Sequence, residues 1–178
     1  MSDPNAAERR EWVRGAVARY EAPLTLYAAR LVDDADAARD IVQDAFLRLC
    51  DQDRERVEPR LAEWLFTVCR NRAFDLLRKE RRMTRLNEHH SQTCISPGPD
   101  PSEAAQRDDL AARALELLET LPAGQREVIR LKFQNGFSYQ EISRISGFSV
   151  SNVGYLIHTG MTTLRSLLAD APAARTQL

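Results

Sequence analysis

The sequence lacks the features that mark exported and membrane-spanning proteins. Its N-terminus, MSDPNAAERREW, is polar and charged and contains no apolar export segment. No apolar run approaches the roughly 20 residues that a membrane-spanning helix needs. The three cysteines, Cys50, Cys69 and Cys94, are widely spaced and form no CxxC pair, which favours reduced cytoplasmic thiols over a disulfide framework. The sequence therefore predicts a cytoplasmic protein without direct membrane insertion.

The chain also has little net charge, little glycine and no enzyme motif. Lysine and arginine number 25 against 26 aspartates and glutamates, and the formal net charge is -1. A nucleic-acid partner would therefore have to be bound by local clusters of basic residues. The seven glycines form no phosphate-binding loop, and no nucleophile lies beside a base in a recognisable motif. We expect no catalytic residues, no metal and no cofactor.

Helix-forming residues are abundant and recur with helical periodicity. Hydrophobic residues make up 43% and charged residues 29% of the chain, a balance typical of a folded protein. We expect Pro23 to kink or divide the first helix and the charged stretch at 51–60, DQDRERVEPR, to form a loop. The predicted helices cover about 7–32, 35–49, 61–82, 103–119, 122–134, 138–146 and 149–168.

Helical periodicity is absent between residues 87 and 102. Pro97, Pro99 and Pro101, together with Gly98, mark a stretch that cannot be helical. The predicted fold class is therefore all-α, with two small helical domains at 8–86 and 107–170 joined by a flexible linker at 87–106.

The C-terminal segment FSYQEISRISGFSVSNVGYLIHTGMTTL has the spacing of a helix-turn-helix. Ser138 and Glu141 form an S-x-x-E capping box, Gly147 falls where a tight turn needs a left-handed backbone, and Ser149 can cap the next helix. Ser146 departs from the pattern, because an apolar residue is usual at that position.

The second helix of this motif carries polar side chains that could contact DNA. Ser and Asn can hydrogen-bond to base edges, and Tyr and His can meet phosphates or bases. The alternative is that they are ordinary polar surface residues. The predicted contacts are Ser149, Ser151, Asn152, Tyr155 and His158, with phosphate contacts from Arg126 and Arg144 and further help from Arg130 and Lys132.

Two surfaces are predicted in the N-terminal domain. Asp40, Gln43 and Asp44 share one helix face and suit docking onto a basic partner helix, unless they are merely the solvated side of an amphipathic helix. The helix WLFTVCRNRAFDLLRKERR carries a basic stripe that could follow a DNA backbone, although cations at a helix C-terminus also stabilise the helix itself. Trp64, at its start, could stack on an unpaired base or belong to the core.

Three segments, in this order, resemble the extracytoplasmic-function (ECF) class of RNA polymerase sigma factors. They are DAARDIVQDAFLRL, RLAEWLFTVCRNRAFDLLRKERR and LETLPAGQREVIRLKFQNGFSYQEISRISGFSVSNV, within residues 20–168. The resemblance implies a sigma region 2-like domain at 8–86, for polymerase docking and for recognition and melting of the minus-ten element. It also implies a sigma region 4-like helix-turn-helix domain at 107–170 for the minus-thirty-five element. The implied partners are core RNA polymerase, through its β′ clamp helices and β subunit, promoter DNA and an anti-sigma factor.

The resemblance also assigns roles to particular residues. Positions matching Asp40, Gln43 and Asp44 dock on the β′ clamp helices, and the segment matching 51–60 captures flipped bases with the helix that follows it. Together with the basic stripe, this predicts minus-ten contacts from Trp64, Asn71, Arg72, Arg78, Lys79, Arg81 and Arg82. The helix-turn-helix residues named above become the minus-thirty-five contacts.

One departure from the family concerns the recognition helix. Many ECF members have basic residues along it, whereas SVSNVGYLIHTGMTTLR has no Lys or Arg before Arg165. We therefore expect polar contacts and DNA shape to matter more for the upstream element.

Two other classes of protein are less compatible with the sequence. A stand-alone helix-turn-helix regulator would need no second DNA-binding block and would usually carry a dimerisation or ligand domain. A metal protein could use His89, His90 and Cys94, but these three candidates lack a fourth ligand and a fixed geometry.

Overall fold

The computed structural model describes residues 4–84 and 113–170, and every regular element in those two ranges is a helix. The chain divides into two compact units, one containing the first range and the other the second. The predicted all-α fold is confirmed. The predicted linker at 87–106 lies outside the described residues. None of the described helices is long and apolar enough to cross a bilayer.

Three long helices form the core of the N-terminal unit. The helices of this unit are α1 (Pro4–Val32), α2 (Ala35–Cys50), a short α3 (Arg54–Val57), a 3-10 turn (Glu58–Arg60) and α4 (Leu61–Thr84). Leu24 of α1, Leu49 of α2 and Leu65 of α4 are completely buried, and the rings of Tyr27 and Phe66 lie 5.0 Å apart between α1 and α4. Burial of three apolar helix faces against one another creates this unit.

Pro23 lies inside α1, which continues from Pro4 to Val32. Of the two expected outcomes, division of the helix at this proline is wrong, and a kink stays a prediction. Proline removes one backbone hydrogen bond, but the buried residues Leu24, Tyr27 and Ala28 follow directly. Their packing holds the chain in helical register past the proline.

The stretch at 51–60 is not the loop that its charge predicted. The carboxylate of Asp53 accepts a hydrogen bond from the backbone N–H of Glu55 and caps α3. Arg54 pairs with Glu58 one turn later, and Val57 is buried against the rest of the unit. Local capping and one apolar anchor therefore fold a segment in which most side chains are charged.

The C-terminal unit also buries apolar helix faces. Its helices are α5 (described over residues 113–119), α6 (Ala123–Phe133), α7 (Tyr139–Ser146) and α8 (Val150–Asp170). Leu131, Ile142 and Val153 are completely buried. Arg126 donates to the backbone carbonyl and the carboxylate of Glu119, at 2.9 and 3.1 Å, and buried Arg130 pairs with the same carboxylate. These ion pairs join α5 to α6.

The turn between α7 and α8 has the predicted helix-turn-helix chemistry. The Ser138–Glu141 capping box is complete, and hydrogen bonds from Ser138 lower the pKa of the Glu141 carboxyl. Gly147 ends α7 in the left-handed region at φ 77°. Buried Ser146 donates its hydroxyl to the Ile142 carbonyl and accepts from the N–H of Phe148. A serine is therefore tolerated at this normally apolar position because both functions of its hydroxyl are satisfied.

Gly147→Ala tests the turn. A side chain in the left-handed conformation costs about 1–2 kcal/mol, so we expect a loss of that size in the free energy of unfolding of the C-terminal unit. The measurement is hydrogen exchange of α7 and α8 amides in the full chain. The matched control is Gly15→Ala in α1, where an added Cβ meets nothing within 4 Å and helix propensity should stabilise the N-terminal unit slightly. Unchanged exchange in α7 and α8 would contradict the assigned role of Gly147.

Candidate functional site

The outer face of α2 combines polar groups with one exposed leucine. Asp40 and Gln43 are exposed, as predicted, and Leu47, one turn after Gln43, has 60% of its surface exposed. Sequence analysis missed Leu47, although an apolar residue opposite the buried stripe of Ile41, Ala45 and Leu49 is the signal that reveals it. Polar side chains around an exposed apolar residue are typical of a protein-docking surface.

Asp44 is oriented differently from its two neighbours. Its Oδ2 atom is buried and lies 3.1 Å from the Arg48 Nε atom and 3.5 Å from the Arg72 Nε atom. The structure thus brings together two residues that sequence reasoning placed in different sites, Asp44 on the docking face and Arg72 in the basic helix. Asp44 is therefore in position to hold α4 against α2.

The same carboxylate affects a buried thiol. Burial, and secondarily the negative charge of Asp44, raises the pKa of the Cys69 thiol to about 12. Cys69 is therefore a neutral core residue at physiological pH, whereas Cys50 is exposed at the end of α2.

The outer side of α4 is basic over its C-terminal half. The predicted minus-ten contacts that are exposed along α4 are Asn71, Arg72, Arg78, Lys79, Arg81 and Arg82, and the acidic residues exposed beside them are Asp75 and Glu80. Arg78 forms an exposed ion pair with Asp75 at 3.4 Å, and Arg70 lies with its guanidinium carbon 4.5 Å from the centre of the Phe74 ring. Trp64 is half-buried, so part of its indole is accessible. This surface can bind an anionic backbone.

The segment before α4 is held to α1 by a residue that sequence analysis missed. Arg9 Nη2 donates a 2.8 Å hydrogen bond to the backbone carbonyl of Gln52. Gln52 follows α2 and precedes the short α3. Because the contact spans 43 residues of sequence, no local pattern could have identified Arg9.

The predicted DNA-contacting residues lie at the start of α8. Ser151, Tyr155 and His158 are exposed, and Tyr155 has 65% of its surface accessible. Ser149 Oγ accepts a hydrogen bond from the N–H of Asn152 at 3.2 Å and lies 3.1 Å from Ser151 Oγ. Asn152 itself is half-buried. The hydrogen bond from the N–H of Asn152 to Ser149 Oγ confirms that Ser149 caps this helix, as predicted.

The basic residues predicted to assist this helix differ in availability. Arg144 is exposed near the end of α7. Arg126 is half-buried and bound to Glu119, and Arg130 is buried. Lys132 has its ammonium 5.5 Å from the centre of the Tyr139 ring. Arg126 and Arg130 thus have an intramolecular role, and their phosphate contacts stay predictions. His89, His90 and Cys94 lie outside the described residues.

Both units match known protein families. Residues 16–83 match the family described as Sigma-70 region 2, and residues 111–164 match the one described as Sigma-70, region 4. The chain is 31% identical over 156 residues to the RNA polymerase sigma factor CarQ of Myxococcus xanthus, covering 86% of this chain and 87% of that protein. It is 30% identical over 175 residues to the ECF RNA polymerase sigma factor SigL of Mycobacterium tuberculosis, covering 96% of each.

Solved structures share the fold. CnrH, in complex with the cytosolic domain of CnrY, aligns with a TM-score of 0.59 and 28% identity over 93% of this chain and 96% of that one. The sigma factor RpoE from Bartonella quintana, in complex with the anti-sigma factor NepR, aligns with a TM-score of 0.65 and 24% identity over 89% of this chain and 98% of that one.

A double-mutant cycle tests whether Asp44 holds α4 to α2. For Asp44→Ala and Arg72→Ala we expect a coupling free energy of about 0.2–1 kcal/mol in the unfolding of the N-terminal unit, because the pair is partly exposed to solvent. The measurement is urea denaturation of the full chain. Asp44→Ala combined with Arg78→Ala is the matched control and should be additive, since Arg78 pairs with Asp75. Additivity in both cycles would exclude the Asp44–Arg72 interaction.

Proposed function

The chain belongs to the ECF family of RNA polymerase sigma factors, and on this basis we propose that it binds core RNA polymerase and directs it to promoters. The observation that carries the proposal is the match to sigma factors over nearly the full chain, with a region 2 and a region 4 segment in order. The protein acts without catalysis of its own, as the subunit that supplies promoter specificity. Its place of action is the cytoplasm, where transcription occurs.

Polymerase docking is assigned to the outer face of α2. Asp40 and Gln43 supply exposed polar groups for the β′ clamp helices, and Leu47 adds an apolar contact one turn beyond Gln43. Burial of an exposed leucine contributes about 1.5–3 kcal/mol when its surface is fully covered, and the polar residues set orientation and encounter rate. Asp44 contributes mainly by positioning α4, because its Oδ2 atom faces Arg48 and Arg72. The β subunit is the second expected polymerase contact.

Minus-ten recognition is assigned to α4 and the segment that precedes it. The basic residues after Asp75 bind the DNA backbone, and Asn71 and Trp64 lie nearer the base-capturing segment at 51–60. The duplex opens because the protein traps bases that have flipped out of the stack. Unstacking a base costs a few kcal/mol, and stacking and pocket contacts to the flipped base offset that cost without ATP hydrolysis.

Minus-thirty-five recognition is assigned to α8, with Ser151, Asn152, Tyr155 and His158 nearest the bases and Arg144 at the backbone. Helix-turn-helix proteins place the N-terminal residues of the second helix in the major groove. The exposure of Ser151, Tyr155 and His158 supports this orientation.

Regulation by an anti-sigma factor is part of the proposal. The fold neighbours CnrH and RpoE are complexed with CnrY and with the anti-sigma factor NepR, respectively. An inhibitor that covers the outer face of α2 would block polymerase docking. Pull-downs from the native host should recover such a protein in addition to polymerase, and repeated recovery of polymerase alone would contradict this part.

In vitro transcription tests the central activity. Purified chain is added to bacterial core polymerase on a library of promoter sequences, and transcripts are sequenced. We expect initiation only from a subset of templates that share an upstream and a downstream element. Failure to initiate from any template with cognate core polymerase, by a chain that is folded by circular dichroism, would overturn the proposed function.

Introduction of positive charge tests the docking face. Asp40→Arg combined with Gln43→Arg should weaken core polymerase binding at least tenfold, because both positions would then present cations to a basic partner. Affinity is measured by fluorescence anisotropy of labelled protein, and folding by thermal denaturation. Glu11→Arg, also exposed and in the same unit, is the control for a general charge effect and should bind normally. Equal binding by the double variant would exclude this face.

A further inference from the structure

The first turn of α8 exposes an apolar residue that sequence analysis did not assign. Val150 is the first residue of the helix after its Ser149 cap, and 45% of its surface is accessible. Ser151 follows directly, and Tyr155, with 65% of its surface exposed, lies one turn beyond Ser151. Val150, Ser151 and Tyr155 therefore form the outward surface of the N-terminal turns of this helix.

Polar groups around Val150 are partly engaged within the protein. The hydroxyls of Ser149 and Ser151 lie 3.1 Å apart and bond to each other, and Ser149 Oγ also accepts from the N–H of Asn152. Each hydroxyl that bonds internally has less capacity left for a base edge. The isopropyl group of Val150 has no such alternative partner.

The apolar character continues along the same face. Gly154 follows Val150 by one turn, and a Cβ placed there would lie 3.6 Å from the ring of Tyr139. Tyr139, itself 39% exposed, therefore covers position 154. No lysine or arginine occurs in α8 before Arg165. The leading end of the recognition helix thus exposes an apolar side chain, Val150, and carries no charged one, so phosphate attraction from this helix contributes little.

Only one base pair presents an apolar group in the major groove. Thymine carries a C5-methyl group there, whereas the other major-groove features are hydrogen-bond donors and acceptors. Valine gains nothing from a donor or acceptor and leaves it unsatisfied when it displaces water. Contact with a methyl group removes apolar surface of both partners from water.

We propose that Val150 is a specificity-determining residue that selects thymine in the upstream promoter element by contact with its C5-methyl group. The inference rests on the proposed sigma-factor function and deepens it by naming the chemical group that is read. Removal of one buried methyl group weakens binding about fourfold, and this sets the size of the expected effect.

Thymine-to-uracil scanning tests the contact directly, because uracil lacks only the methyl group. The template is a promoter obtained from the transcription library. Each thymine of its upstream element, on either strand, is replaced singly by uracil. Holoenzyme affinity is measured for the wild-type chain, for Val150→Ala and for the isosteric variant Val150→Thr. Thr162→Ala, at an exposed position two turns beyond Tyr155, is the control.

We expect one uracil position to weaken wild-type binding about fourfold. Val150→Ala should weaken binding to thymine DNA by a similar factor and lose its sensitivity to that uracil. The affinity of Val150→Thr for thymine DNA should lie between those of the wild type and Val150→Ala, because threonine keeps one of the two methyl groups of valine. Thr162→Ala should bind like the wild type. Circular dichroism verifies that each variant is folded.

Three results would overturn the inference while leaving the sigma-factor function intact. In the first, the upstream element contains no thymine. In the second, no thymine-to-uracil replacement changes the affinity of the wild-type holoenzyme. In the third, the affinity of Val150→Ala falls on uracil replacement as much as that of the wild type. Absence of promoter-dependent initiation by the wild-type chain would overturn the inference and the proposed function together. The two failures are therefore distinguished by the wild-type transcription experiment alone.

Discussion

Each unit of this protein is held together by apolar helix faces that are buried against one another. A helix in water is stabilised mainly by packing of its apolar face, and this chain has few large aromatic residues, at 7% of its composition. The N-terminal unit buries leucines from α1, α2 and α4 together, and the C-terminal unit buries aliphatic side chains such as Leu131 of α6, Ile142 of α7 and Val153 of α8. The surfaces available for binding are the helix faces that this packing leaves outside.

Those outer faces differ in chemistry in a way that suits different partners. The face of α2 combines Asp40 and Gln43 with the exposed Leu47, the C-terminal half of α4 is basic, and the start of α8 is apolar and hydroxylic. The face of α2 suits a protein surface, the basic half of α4 suits an anionic backbone, and the start of α8 suits the floor of a DNA groove. The near-zero net charge of the chain conceals this division, because the basic cluster at the end of α4 is balanced by acidic residues elsewhere in the chain.

Asp44 connects two of these faces within the N-terminal unit. Its Oδ2 atom lies between Arg48 of its own helix and Arg72 of α4. This carboxylate attracts the half-exposed guanidinium of Arg72 and so favours the packing of α4 beside α2. The placement of the basic helix is thereby tied to the helix that we assign to polymerase docking.

Sequence patterns predicted the all-α fold, the bounds of the longer helices to within a few residues where the structure describes them, and the chemistry of the turn at Gly147. These features were predictable because caps, glycine conformation and apolar periodicity act over a few neighbouring residues. The high charge of residues 51–60 led to the wrong prediction of a loop. The cap at Asp53 and the buried Val57 instead fold this segment into short helices. The orientation of Asp44 towards Arg72 and the ion pair of Arg126 with Glu119 could not be predicted from local sequence patterns. Side-chain orientation of this kind depends on which helices become neighbours, and that is settled by packing between residues distant in the chain.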